Sequence, residues 1–115
     1  MNESLLFAAL WEIAAANPKG YTVDNENLQP IKQGFSVAVE ETQNSVGKAG
    51  LKKVIEYVKN HPDTAFGGWY DSKKDAFLFD AVVIVDNVKD AVFLGLQEKQ
   101  DAIFNLTEGK EIRLK

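Results

Sequence analysis

The stretch that decides the fold is residues 65–85, AFGGWYDSKKDAFLFDAVVIV. Two β-forming runs, 65–71 and 76–85, lie on either side of the short polar connection at residues 72–74, and together they predict a β-hairpin. From residue 81 onward both alternating sets of the second run are apolar. This pattern predicts a central strand that is covered on both faces.

The elements around this hairpin are predicted from periodicity. Residues 35–40 alternate like a strand, and Leu51, Val54, Ile55 and Val58 recur at the spacing of a helix. A further helix follows Asn87, and two final strands lie at 102–106 and 111–114. The order predicts an α+β fold, an antiparallel sheet with helices in the ferredoxin-like split βαβ order, plus an extra C-terminal strand.

The N-terminus predicts an apolar helix that precedes this body. The apolar run at residues 5–16 is too short to span a membrane and has no basic residue before it. We therefore expect the helix to cover the second face of the sheet or to pair with a second copy of the chain. In the second case the oligomer interface is predicted at Leu6, Leu10 and Trp11.

Length and composition indicate one cytoplasmic domain spanning residues 1–115, with the N-terminal helix at 1–17 and the α+β body at 20–114. The 17 acidic and 13 basic side chains give a formal net charge of −4, which disfavours nucleic acid as a partner. Cysteine is absent, so disulfides, thiolate metal sites and cysteine nucleophiles are excluded. No membrane partner, cofactor or metal site is predicted.

Two adjacent glycines, Gly67 and Gly68, precede the densest aromatic cluster of the chain. A glycine inside a strand usually marks a bulge or a close approach of other atoms, and the favoured interpretation is that Trp11 or Phe7 fills the space above Gly68. The functional interpretation is a shallow site walled by Trp69, Tyr70 and Phe79. The predicted ligand- or partner-binding residues are Trp69, Tyr70, Asp71 and Asp80.

Two alternatives remain open at this level. Asp71, Asp75 and Asp80 suggest a carboxylate cluster for a small metal-assisted enzyme, although spacing in a hairpin does not fix that geometry. The alternation of Phe77 and Phe79 suggests base stacking by a single-stranded nucleic-acid binder. Isolated turn or hydrogen-bonding roles for the aspartates, and a helix-end role for the single histidine, His61, are favoured over catalysis.

The sequence also resembles a known kind of domain. The marks that carry the resemblance are Gly20-Tyr21-Thr22-Val23, Gly34-Phe35, Gly67-Gly68-Trp69 with Asp71, and Gln100-x-Ala102-Ile103-Phe104 with Leu106. From residue 20 to 114 the chain resembles a small domain of uncharacterised bacterial proteins, including gut Bacteroides-type proteins and, more distantly, polyproteins of phages and other mobile elements. The resemblance implies a bacterial, mobile-element-linked domain without an assigned activity. The overall prediction is a binding or protein-interaction module.

Overall fold

The computed structural model describes residues 2–115 and contains three helices and seven strands in this part of the chain. The elements are α1 (Glu3–Ala16), β1 (Gly20–Val23), β2 (Phe35–Ala38), a 3-10 turn (Glu40–Thr42), β3 (Ser45–Val46), α2 (Gly47–Asn60), β4 (Ala65–Asp71), β5 (Ala76–Val85), α3 (Val88–Gln97), β6 (Ala102–Asn105) and β7 (Lys110–Arg113). The predicted α+β class with an antiparallel sheet is confirmed.

The strands form one antiparallel sheet in the order β1-β4-β5-β2-β6-β7, and the short strand β3 pairs with β5 beside β2. The β4–β5 hairpin has the predicted bounds, and its register pairs Gly68 with Phe79 and Gly67 with Asp80. β5 pairs along its other edge with β2 through residues 82–85 and with β3 through residues 78–79. β5 therefore occupies the centre of the sheet, as its apolar sequence predicts.

All three helices lie on one face of the sheet, which we call the helix face. Buried side chains of α2, among them Leu51 and Val54, form one core cluster with Phe66, Phe79 and Ala81 of the hairpin. α3 packs through Ala91 onto a second cluster containing Val37 and Ile103. Because side chains alternate along a strand, the register assigns Phe66, Phe79, Val37 and Ile103 to the same face.

Helix α1 also lies on the helix face, which corrects one expectation. Leu10 is 0 % exposed within the core formed by α2 and the hairpin, and the Trp11 ring stacks on Phe79 with centroids 6.0 Å apart. The helix therefore does not cover the second face of the sheet. Its outer side is not covered by the described chain, since Leu5 is 59 % exposed.

The opposite face of the sheet carries no helix, and we call it the open face. Its side chains come from the alternate residues of each strand, including Thr22, Ser36, Ala38, Val46, Ala65, Gly67, Trp69, Leu78, Asp80, Val82, Ile84 and Phe104. At the centre of this face little side-chain surface reaches solvent, since Leu78, Asp80 and Val82 are only 5 %, 6 % and 4 % exposed.

The outer strands of the sheet, β1 and β7, end it in two different ways. After β1 the chain turns back, so that the Ile31 amide donates to the Thr22 carbonyl at 2.9 Å and Pro30 forms a bridge with Val23. β7 pairs only with β6 and carries charged side chains at three of its four positions, Lys110, Glu111 and Arg113.

Asn87 caps α3, as the sequence predicts. Its side-chain oxygen accepts from the Asp90 amide at 2.9 Å, and its side-chain nitrogen donates to the Asp90 carboxylate. We expect Asn87→Ala to lower the free energy of unfolding by about 1 kcal/mol, because an amide at the helix start loses its acceptor. Urea unfolding measures the loss, and Asn87→Ser, which keeps an acceptor, is the matched control. Equal losses in both variants would contradict a capping role.

Candidate functional site

The open face has a single carboxylate at its centre, that of Asp80. β5 places Asp80 between Leu78 and Val82 on the same face, and the residue is only 6 % exposed. A buried carboxylate needs a hydrogen-bond donor, and the structure supplies one from the neighbouring strand. Trp69 Nε1 donates to Asp80 Oδ2 at 3.1 Å.

The two strands of the hairpin fix this contact. Trp69 lies directly opposite Leu78, two pairs further along than the pair formed by Gly67 and Asp80 and therefore on the same face. Because Gly67 has no side chain, nothing from β4 stands across from the carboxylate. A Cβ at Gly67 would lie 2.9 Å from Val82 Cγ1, so the glycine also permits the close approach of that valine.

Burial changes the acidity of Asp80. Removal of the carboxylate from water raises the pKa of Asp80 from 3.8 to about 7, and the hydrogen bond from Trp69 opposes this rise only in part. Near neutral pH the carboxyl group is thus close to the midpoint of its titration. Such a shift is common at functional sites and also occurs at structural ones.

The second oxygen of Asp80 is available. Among the hydrogen bonds of residues 2–115, only that from Trp69 reaches the carboxylate, and it ends on Oδ2. Within the same residues, the one side-chain polar atom that is sealed from solvent without a partner is Tyr21 Oη. Asp80 Oδ1 therefore retains contact with solvent and can accept a hydrogen bond from a bound molecule.

The structure does not bring all four predicted site residues together. Trp69, Asp71 and Asp80 share the open face, whereas Tyr70 points to the helix face because it is adjacent to Trp69 in the strand. Tyr70 donates its hydroxyl proton to Asp75, and Asp71 Oδ1 accepts from the amides of the hairpin turn. The shallow site walled by Trp69, Tyr70 and Phe79 is therefore not formed, since its walls lie on opposite faces.

Gly68 faces the helix side, and the aromatic rings above it differ from those expected. A Cβ at Gly68 would lie 2.5 Å from Tyr21 Cε1 and 2.7 Å from Phe77 Cε2. Tyr21 and Phe77, which stack with centroids 6.1 Å apart, fill the space that was predicted for Trp11 or Phe7. Burial, and after it the charge of Asp80, raises the pKa of the Tyr21 phenol.

The predicted oligomer-interface residues fall in different environments. Leu10 is fully buried and belongs to the interior of its own chain, whereas Leu6 packs against the same core but is only partly buried. Trp11 is 39 % exposed at the edge of α1, where its ring also stacks on Phe7. Of the three residues, Leu6 and Trp11 keep part of their surface exposed, and Leu10 does not.

The aromatic pair proposed for base stacking points away from the open face. Phe79 is buried under Trp11, and Phe77 packs edge-on against Phe79. The aromatic side chains that the open face does expose are Trp69 and Phe104, at 41 % and 40 %. The nucleic-acid alternative thus loses the two residues on which it was based.

Sequence reasoning missed two exposed residues of this face, Val46 and Phe104. Val46 is 48 % exposed in β3, a strand of only two residues that is too short to show an alternating pattern. Phe104 follows the buried Ile103 in β6, so the alternation of that strand was the signal that could have placed it on the opposite face.

Two cavities lie away from Asp80. One, of about 240 Å³, is next to the end of α2, where His61 stacks on Tyr57 with centroids 3.8 Å apart and its Nδ1 lies 2.8 Å from the Tyr57 carbonyl oxygen. The other, of about 310 Å³, lies between α1, β1 and the segment that returns along β1. His61 directly follows α2, which agrees with its predicted helix-end role.

The described residues contain no group of three or more histidine, aspartate or glutamate side chains able to hold a metal ion. Asp71, Asp75 and Asp80 each have a separate hydrogen-bond partner, so the carboxylate cluster of the metal-assisted alternative is not assembled. None of the helices within residues 2–115 combines the length and the apolar character needed to cross a bilayer.

Comparison of the chain with models of protein families, with curated proteins and with solved structures finds no match. The geometry of the open face is therefore the basis for assigning a function.

Proposed function

We propose that the chain is a bacterial, cytoplasmic protein-interaction module whose binding surface is the open face of the sheet. The observation that carries the proposal is Asp80, a buried carboxylate at the centre of a face without helices, with one oxygen held by Trp69 and the other available. Structural carboxylates are normally satisfied by their own chain, and this one is satisfied only in part.

The surroundings of Asp80 support a macromolecular partner. Trp69 and Val46 expose large apolar side chains on the two strands that flank β5, each directly opposite Leu78. Clusters of partly exposed aromatic and aliphatic residues around a buried centre are typical of binding surfaces. A tryptophan held by a hydrogen bond contributes contact area at a low cost in side-chain entropy.

The architecture and origin belong to the same proposal. We infer that β2, α2, β4, β5, α3 and β6 form a ferredoxin-like split βαβ unit, which the strand order β4-β5-β2-β6 and the position of α2 and α3 on one face support. The resemblance to uncharacterised bacterial and mobile-element domains supports a bacterial origin.

Site-specific photo-cross-linking tests the proposed surface. A photoreactive phenylalanine analogue at Val46 or at Phe104 is expected to give a discrete covalent adduct in bacterial cells, because both side chains are exposed on the open face. The same analogue at Lys52, exposed on the outer side of α2, is the matched control and should give none. An adduct of twice the 12.8 kDa chain mass would identify the partner as a second copy.

Loss of contact area should weaken the cross-link. We expect Trp69→Ala, added to the Val46 probe, to reduce the adduct at least fivefold, since truncation of a central aromatic commonly costs about 1 kcal/mol or more of binding free energy. Adduct formation from Lys52 alone, or equal yields with and without Trp69, would refute the open face as the binding surface.

A further inference from the structure

The open face lacks one component, a positive charge to match Asp80. The ion pairs of residues 2–115 all lie between exposed side chains, and none includes this carboxylate. A buried ionised group without a partner is costly, and a cation that reaches it recovers part of that cost. The unfilled position is next to Asp80 Oδ1, the oxygen that Trp69 does not hold.

Trp69 defines what kind of cation fits there. Its indole is anchored through Nε1 to Asp80 Oδ2, so the ring stays beside the available oxygen while 41 % of the residue remains exposed. An aromatic ring next to a carboxylate suits an organic cation, whose charged head pairs with the carboxylate and whose apolar stem lies on the ring. A hydrated metal ion would gain nothing from the ring.

The shape of the surface indicates where the cation comes from. Asp80 and Trp69 lie on the sheet surface and line neither of the two cavities described above. A small free amine bound on such a surface would keep much of its charge in water. Val46 extends the exposed apolar surface along the edge of β5 opposite Trp69. A partner that covers this area buries the ion pair and strengthens it, as a protein surface does.

We propose that the open face binds its protein partner through a lysine or arginine side chain of that partner, whose charged head donates to Asp80 Oδ1 and whose stem lies against Trp69. This inference rests on the proposed function and adds the chemistry of the contact.

Binding of this kind requires ionised Asp80, so the other charged groups near it matter. Asp71 lies on the same face of β4, with Oδ1 held by the amides of Lys73 and Lys74. The Tyr21 phenol lies behind the sheet and is sensitive to the charge of Asp80. The open-face side chains of the other adjacent strands carry no titratable group; they are Thr22, Ser36, Ala38 and Val46.

The test is an NMR titration of the full, ¹⁵N-labelled chain with three acetylated and amidated tripeptides. Each has two leucines around a central lysine, arginine or norleucine, the last being a neutral analogue of lysine. We expect the lysine and arginine peptides to shift the Trp69 indole signal and the amides of Gly67 and Asp80. Their affinity should exceed that of the norleucine peptide about tenfold, the effect of a partly buried cation contact.

The dependence on pH gives an independent readout. Because the pKa of Asp80 is about 7, the group is mostly ionised near pH 8 and mostly protonated near pH 5.5, so affinity for the lysine peptide should fall several-fold on acidification, nearly to that of the norleucine peptide. Asp80→Asn, whose fold the same spectrum verifies, should bind the lysine and norleucine peptides equally at both pH values.

Several results would overturn the inference. Equal binding of the norleucine and lysine peptides at the open face would refute a role for the cation. The proposal that the open face binds a protein would not be affected, because cross-linking tests it separately. Shifts confined to other surfaces, or none with any peptide, would refute the inference as well. Butylammonium binding as tightly as the lysine peptide would show that the face takes free amines and would refute the partner-protein assignment.

Discussion

Asp80→Asn is expected to make the protein more stable than the wild type near pH 8, by up to about 4 kcal/mol, and to leave its stability nearly unchanged near pH 4. Burial raises the pKa of Asp80 from 3.8 to about 7 in the folded chain. A raised pKa means that the folded state binds the proton more strongly than the unfolded state. The stability from this group is therefore fully present below about pH 4 and is lost as the pH rises through about 7.

Asparagine keeps the shape of the side chain and an oxygen for Trp69 Nε1, but it carries no charge that burial can penalise. Urea unfolding of both proteins near pH 4 and pH 8 measures the effect as a difference of differences, in which all other titrating groups cancel. Asp101→Asn is the matched control, because Asp101 forms an exposed ion pair with Lys115, and such pairs contribute at most about 1 kcal/mol. An Asp80→Asn effect of equal size at both pH values would contradict the buried, titrating carboxylate.

Gly68→Ala is expected to lower the free energy of unfolding by about 1–3 kcal/mol, the usual cost of overpacking. The new methyl group would lie 2.5 Å from Tyr21 Cε1 and 2.7 Å from Phe77 Cε2, closer than non-bonded carbon atoms approach. Both rings are rigid and stack on each other, so neither can move without disturbing the other. Thermal or urea unfolding measures the loss.

A double-mutant cycle with Phe77→Leu tests the cause. Leucine removes one of the two rings above Gly68, so the loss in the double variant should be smaller than the sum of the single losses by about 0.5–1 kcal/mol or more. Gly67→Ala is the matched comparison on the other face, where the new methyl group meets a single methyl of Val82 at 2.9 Å. Strict additivity of Gly68→Ala and Phe77→Leu would show that the ring contact is not the source of the loss.

Most elements could be predicted from the sequence because their signals are local. The apolar spacing in α2, the cap at Asn87 and the two runs of the β4–β5 hairpin each depend on residues close together in the chain. The face of the sheet on which α1 packs was not predictable in this way. Its position depends on contacts of Leu10 and Trp11 with residues more than forty positions away, and no periodicity within α1 specifies them.

The candidate site likewise depends on contacts between residues that are far apart in the sequence. Clustering in sequence suggested that Trp69 and Tyr70 act together, yet neighbours in a strand point to opposite faces. The contact that matters, between Trp69 and Asp80, joins two strands and depends on their register. Val46 enters the same face from a two-residue strand too short to leave a pattern.

The edges of the sheet at β1 and β7 restrict how another polypeptide can bind to it. Peptides often join a sheet by adding a strand at its edge, where main-chain groups supply most of the affinity whatever the peptide sequence. The returning segment already occupies part of the β1 edge, and charges along β7 discourage strand addition, as they do in many sheets that avoid aggregation. A partner of the kind proposed would therefore have to lie across the strands and be recognised by its side chains, and the same two edges oppose growth of the sheet into fibrils.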